Sequence, residues 1–225
     1  MPADPPGVSL SRPHLSLPQP PLLLITDRRQ VQTGDVIGVV ASACAAGCRW
    51  VSLREKDLSP AKQLALFARL REVAQPFGVT LTLHGPGQLA LDAGADGVHL
   101  PAGSDARAAR TLLGPEALIG LSLHDVAEIG ALPAGSVDYV TASPVFLSAS
   151  KPGYGPALGA EGLARFVAAS CLSASCAPVV ALGGIGAEQV AICRSAGASG
   201  VAVMGDVMRA KTPAAHIETL IASLI

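Results

Sequence analysis

Aromatic residues are scarce in this 225-residue chain, at 3%: four Phe, two Tyr and one Trp. So few rings offer little for stacking on unpaired bases. Charge is scarce as well, at 15% of residues with a formal net charge of −1. That balance removes the electrostatic case for nucleic acid or for an anionic membrane surface. No apolar run approaches the roughly 18 residues that span a bilayer. The N-terminus lacks a basic segment followed by a long apolar stretch, so secretion is not expected and a cytoplasmic location is. Cysteine is sparse, odd in number (five) and free of any C-x-x-C pair. These residues are expected to be reduced and mostly buried thiols.

What the chain does have is aliphatic residues. Hydrophobic side chains make up 50%, a mix suited to parallel strands buried on both faces. Short apolar runs fall at 22–26, 50–54, 79–83, 97–100, 118–122, 137–142, 178–182 and 200–204. Helix-like segments lie between them, near 35–46, 60–75, 86–93, 105–113, 125–131, 160–169, 187–195 and 213–224. Eight β/α units in about 200 residues predict a single-domain (β/α)8 TIM barrel over 21–225. A doubly wound open sheet is the structural alternative. Residues 1–20, rich in Pro and Ser, read as a disordered lead-in. The Gly/Pro-rich stretch 143–159 after strand 6 is the lid candidate.

Alternation along the strands sorts their side chains. Val51, Leu53, Leu81, Leu83, Val98, Leu100, Leu121, Leu123, Val140 and Ala142 are predicted to face the helices. Ser52, Arg54, Lys56, Thr80, Thr82, His84, His99, Ser122, His124, Tyr139, Thr141 and Ser143 then share the interior parity. The polar ones gather toward the C-terminal end, where the active sites of this fold lie.

Each group suggests a chemistry. Arg54 and Lys56 set two cations at one rim, which suits a phosphate or diphosphate; pairing of Arg54 with Asp27 or Glu55 is the bland alternative. Lys151 could close over substrate from the loop. Histidines are the natural proton-transfer groups near neutral pH. His99, deeper in its strand, reads as a satisfied core residue, and His124, just past a strand end, as catalytic. Two glycine turns, Gly183–Gly184 after strand 7 and Met204–Gly205 after strand 8, offer backbone amides to an anion. Carboxylates near strand ends are few (Asp27, Asp96 and Asp105), and they make no convincing Mg²⁺ pair. The expected cofactor is therefore none.

Taken together, LLLITDRR (22–29), VSLREKDL (51–58), AGADGVHLPAGS (93–104), IGLSLHDVAE (119–128), SPVF…SKPGYGPALG (143–159), PVVALGGI (178–185) and GVAVMGDV (200–207) resemble the thiamine phosphate synthase/TenI superfamily. The resemblance implies a (β/α)8 barrel in thiamine biosynthesis with one of two activities. A synthase joins a pyrimidine diphosphate to a thiazole phosphate with Mg²⁺ and releases pyrophosphate. A TenI-type tautomerase shifts a proton so that a carboxythiazole phosphate becomes aromatic. Synthases of this family carry Asn-Asp-Arg where this chain has His84-Gly85-Pro86, and Gly-Gln-Glu-Asp where it has Pro101-Ala102-Gly103-Ser104. The usual Gln of the strand 2 motif is Ser52.

On those departures the resemblance implies a metal-independent, TenI-like thiazole tautomerase. In it His124 is catalytic, with Ser122 or His84 orienting the ring. Arg54, Lys56, Ser143, Lys151, Gly183, Gly184, Met204 and Gly205 would bind substrate and its phosphate. The alternatives are a divergent synthase with Mg²⁺ recruited by Asp105 or Asp27, and a non-catalytic precursor binder or regulator. The expected partners are a small phosphorylated thiazole, a pyrimidine diphosphate in the synthase case, and a second copy of the chain in a homo-oligomer.

Overall fold

Aliphatic runs bounded by glycine turns form eight short strands in the computed structural model, which describes residues 15–148 and 155–224. They are β1 (Leu22–Ile25), β2 (Trp50–Leu53), β3 (Thr80–His84), β4 (Gly97–Leu100), β5 (Leu118–Leu123), β6 (Tyr139–Ala142), β7 (Val179–Leu182) and β8 (Gly200–Val203). Between and after them come α1 (Val36–Ala45), α2 (Pro60–Ala74), α3 (Gly87–Asp92), α4 (Ala106–Leu113), α5 (Gly159–Leu172), α6 (Ala187–Ser195), α7 (Gly205–Met208) and α8 (Pro213–Ala222). All neighbouring strands pair in parallel, and Leu22↔Val201 and Leu24↔Val203 close β1 onto β8. The chain is therefore a (β/α)8 barrel, not an open sheet.

The alternation predicts the layers correctly. Val51, Leu53, Leu81, Leu83, Val98, Leu100, Leu121, Leu123, Val140 and Ala142 pack outward with helical residues such as Val40, Phe67, Leu70 and Phe166. A smaller apolar cluster, with Leu23, Ile25, Trp50, Tyr139, Val180 and Ala202, fills the barrel. Trp50 meets Tyr139 edge to face, with ring centroids 4.8 Å apart, a favoured aromatic geometry. Apolar side chains so fill the lower barrel, and polar ones are left for its upper end.

Carboxylates cap the helices. Asp35 accepts from the Gly38 amide at 2.9 Å and Asp105 from Ala108 at 3.0 Å, satisfying first-turn donors that the helix cannot. Several expectations change. The predicted helix at 125–131 is a 3-10 turn, Val126–Ala131, entered through a capping box between Asp125 and Glu128; Pro133 disfavours helical backbone at Leu132. β6 starts at Tyr139, two residues later than expected, because Asp138 turns its side chain to the Ile119 amide (2.8 Å) and to Arg110 (2.6 Å). The α7 turn was not anticipated. Of the lead-in, residues 15–20 are described and packed: Leu17 is buried in the interior cluster and the Leu15 amide donates to Asp138 at 3.1 Å. Residues 1–14 lie outside the described ones. Cys44, Cys48 and Cys193 are buried free thiols, whereas Cys171 and Cys176 are exposed. Burial pushes the Cys44 and Cys193 thiols up to about 11, so they are inert at neutral pH.

Candidate active site

Where the inner parity runs out at the strand ends, a cavity of about 570 Å³ opens at the C-terminal mouth. Arg54, Lys56, His84, Ser122, His124, Ser143, Gly183, Gly184, Met204 and Gly205 all line it. Thus every site residue anticipated from the sequence reaches one cavity except Lys151, which lies outside the described residues. His99 does not line it; this ring is buried beneath the floor.

β2 delivers the cations. The Arg54 amide donates to Thr26 Oγ1 at 2.9 Å, which fixes the strand end. Neither Arg54 nor Lys56 forms an ion pair among the described residues. Glu55 turns the opposite way and, with Asp57, holds Arg28 at 3.0 and 2.7 Å. The bland pairing of Arg54 with Glu55 is thereby set aside. Partial burial, and then the neighbouring Arg54, lower the Lys56 pKa. Two like charges kept side by side without a counter-ion favour an incoming anion.

β5 and β6 deliver the histidine site. The His124 amide donates to Glu128 Oε1 at 2.8 Å, and the ring Nδ1 lies 2.9 Å from the Ser143 carbonyl. A carbonyl can only accept, so Nδ1 carries the proton and the basic lone pair is on Nε2. Ser143 Oγ stands 3.2 Å from the same Nδ1. Ser122 Oγ is 2.9 Å from His99 Nε2, and His99 Nδ1 is 3.0 Å from the Tyr139 hydroxyl. Complete burial, and then Lys56 and Arg54, lower the His99 pKa to about 3. His99 is therefore neutral. The His84 ring sits 4.9 Å from that of His99, tilted by 38°.

β7 and β8 deliver two turns. Gly183 and Gly184 have φ of +106° and +63°, a region that side chains rarely enter. A Cβ at Gly184 would also collide with the Leu147 carbonyl, so the loop after β6 rests directly on this turn. Among the lining residues that escaped the sequence reading are three polar ones, Gln189, Asp206 and Arg209. Asp206 and Arg209 sit on or beside the unforeseen α7, and no strand alternation reaches them. Gln189 is on α6, where its side chain accepts from the Gly186 amide at 3.0 Å.

The donor set does not fit a divalent metal. Among the described residues, no three His, Cys, Asp or Glu side chains come together to hold one. The one carboxylate among the described lining residues, Asp206, is paired with His216 at 2.5 Å. Asp105 caps α4, and Asp27 accepts from Arg29 N and Gln30 Nε2. Recruitment of those two residues to Mg²⁺ is thus not what the geometry offers. The described residues also contain no helix long and apolar enough to cross a membrane.

A family model described as thiamine monophosphate synthase matches residues 22–207. The chain belongs to this family. A putative thiamine-phosphate synthase of Geobacter sulfurreducens is 40% identical, over 90% of this chain and 93% of that protein. The thiamine-phosphate synthase of Azorhizobium caulinodans is 37% identical, over 81% and 84%. In three dimensions the chain is similar to a thiamine phosphate pyrophosphorylase from Pyrococcus furiosus, with TM-score 0.77 and 25% identity over 90% of this chain and 94% of that one. A 3-hexulose-6-phosphate synthase shares the barrel alone, at TM-score 0.64 and 17% identity. A place in thiamine biosynthesis follows from family membership. The names of these relatives agree with the transferase expectation; none of them supports the isomerase expectation placed first from the sequence.

Proposed function

We propose that the chain joins a pyrimidine diphosphate to a thiazole phosphate, giving thiamine phosphate and pyrophosphate. The observation that carries this reading is that one cavity offers two places for an anion. Arg54 and Lys56 stand on the β2 side, unpaired among the described residues. The Gly183–Gly184 and Met204–Gly205 turns lie after β7 and β8. A ligand with one phosphate needs one such place; a pair of substrates carrying a diphosphate and a phosphate uses both.

In this reading the thiazole phosphate docks on the glycine turns, its ring nitrogen toward the pyrimidine methylene. The carbon–oxygen bond to the diphosphate breaks and the new carbon–nitrogen bond forms. The pyrophosphate leaves onto Arg54 and Lys56, with Lys151 as its third cation. Ser122 orients a ring. No step is routed through a metal, because the side chains present do not make a metal site.

A second reading, the thiazole tautomerase, is favoured by that same donor set. Proton transfer needs a phosphate anchor and one positioned base but no metal, and His124 Nε2 is such a base. Incubation of the purified protein with both phosphorylated substrates, in Mg²⁺ and in EDTA, separates the two. Thiamine phosphate formation in either buffer supports the transferase. Its absence in both, with conversion of the unaromatised carboxythiazole phosphate, would replace it with the tautomerase.

A further inference from the structure

The Tyr139–His99–Ser122 chain runs from the barrel interior to the cavity wall, and its polarity can be worked out. Tyr139 is completely buried, and burial, reinforced by Asp138, holds its hydroxyl protonated far above neutral pH. Among the described residues the hydroxyl has one hydrogen-bond partner, His99 Nδ1 at 3.0 Å. His99 is 1% exposed, and its Nε2 faces Ser122 Oγ at 2.9 Å, with Thr141 Oγ1 further off at 3.4 Å.

A neutral imidazole has one N–H and one acceptor nitrogen. If Nδ1 carried the proton, it would donate to Tyr139. The buried tyrosine proton would then have no acceptor, a costly arrangement. If Nε2 carries it, Tyr139 donates to Nδ1 and Nε2–H donates to Ser122. The serine hydroxyl then accepts from below, and its own proton is directed elsewhere. The longer contact to Thr141 is secondary in either case, because Nε2 has a single proton or lone pair and Ser122 is nearer. Ser122 is half-buried and lines the cavity, so its proton has somewhere to go.

We infer that Tyr139 and His99 are positioning residues that aim the Ser122 hydroxyl proton at the bound ligand, so that Ser122 serves as a hydrogen-bond donor to it. The ligand must then present a lone pair at that point: an unprotonated ring nitrogen or an oxygen of the phosphorylated heterocycle. A ligand bearing an N–H there is disfavoured, because it would meet only the second lone pair of the serine oxygen and leave the serine proton without an acceptor. The inference rests on the proposed function only in taking this cavity as the substrate site. His99 is thereby a fixed neutral strut and not the proton-transfer base, which separates its role from that of His124.

Nitrogen-15 NMR of the histidine-labelled full-length protein tests this without any substrate. Loss of one signal set in His99→Gln assigns the residue. The expected spectrum shows His99 with Nδ1 unprotonated and Nε2 protonated, unchanged between about pH 8 and about pH 5. Ser122→Ala should keep that tautomer, because the tyrosine sets it, and this variant assigns the ring by its small shift if His99→Gln does not fold. A protonated Nδ1 in either protein, or an imidazolium at about pH 5, overturns the inference. Binding of thiazole phosphate supplies the second arm. Ser122→Ala should weaken it about tenfold or more, and Ser122→Thr should restore most of the loss, since a hydroxyl donor contributes on that scale. A spectrum as expected combined with unchanged binding in Ser122→Ala would overturn the donor role while leaving the tautomer, and would leave the proposed reaction to its own assay.

Discussion

The Tyr139 ring occupies the space that a side chain at position 120 would need. A Cβ on Gly120 would collide with the ring and the hydroxyl of this tyrosine. Gly120 and Tyr139 are register partners in β5 and β6. The absence of one side chain thus allows the other to reach His99, and through it the cavity wall.

Gly120→Ala should therefore act at two levels. Overpacking of this kind costs about 1–3 kcal/mol, read as a lower midpoint in denaturant at unchanged slope. It should also move the tyrosine off His99 and disturb the His99 ring signals. A variant with wild-type stability and spectrum would show that the barrel interior has room that the packing denies.

His124→Ala should lower kcat about 10²–10⁴-fold if that ring transfers a proton, with little change in KM. His124 is exposed and tied to the chain by its Nδ1, so its removal should spare the fold. A loss confined to KM would assign it to binding alone.

The cation pair predicts a trade between stability and binding. In the folded chain the Lys56 pKa lies below its ordinary 10.5. In the window between the lowered value and 10.5, the unfolded chain holds more protons, so stability rises with pH there. Lys56→Met should remove that rise and slightly raise Tm. It should weaken inorganic pyrophosphate binding about tenfold or more, as loss of a charge-assisted hydrogen bond does. Isothermal titration in EDTA reads this directly. Binding that appears only when Mg²⁺ is added would mean that a metal, and not these side chains, takes the anion.

His99 predicts an acid limb. Its pKa is about 3 in the folded chain against 6.5 ordinarily. As pH falls below 6.5 the unfolded chain takes up a proton that the folded one refuses, and stability drops by up to roughly 1.4 kcal/mol per pH unit. Denaturant titrations at stepped pH should show a shallower acid limb in His99→Gln than in the wild type. Parallel limbs would mean that the buried ring is not what sets acid sensitivity.

Asp105→Ala should cost about 1 kcal/mol, the value of an N-cap, and leave turnover and its response to EDTA unchanged. Loss of metal-dependent turnover in that variant would restore Asp105 as a ligand.

The sequence alone determined the barrel and its two-sided strands, because alternation at period two is a local property of the extended chain. Parity placed Arg54, Lys56, His84, His99, Ser122, His124 and Ser143 around one mouth, with the turns at Gly183–Gly184 and Met204–Gly205; of these only His99 does not line the cavity. Only the tertiary structure decided what those side chains could do. Asp105 and Asp27, the carboxylates a divergent synthase would have to recruit, are caps in space, where their oxygens take unpaired amides. Glu55, next to Arg54, pairs with Arg28 because adjacent strand residues face opposite sides. Asp206 and Arg209 joined the cavity through a four-residue helix too short to leave a periodic trace. The polarity of the Tyr139–His99–Ser122 chain depends on which buried proton has an acceptor, and that depends on neighbours brought from three strands, not from one stretch of sequence.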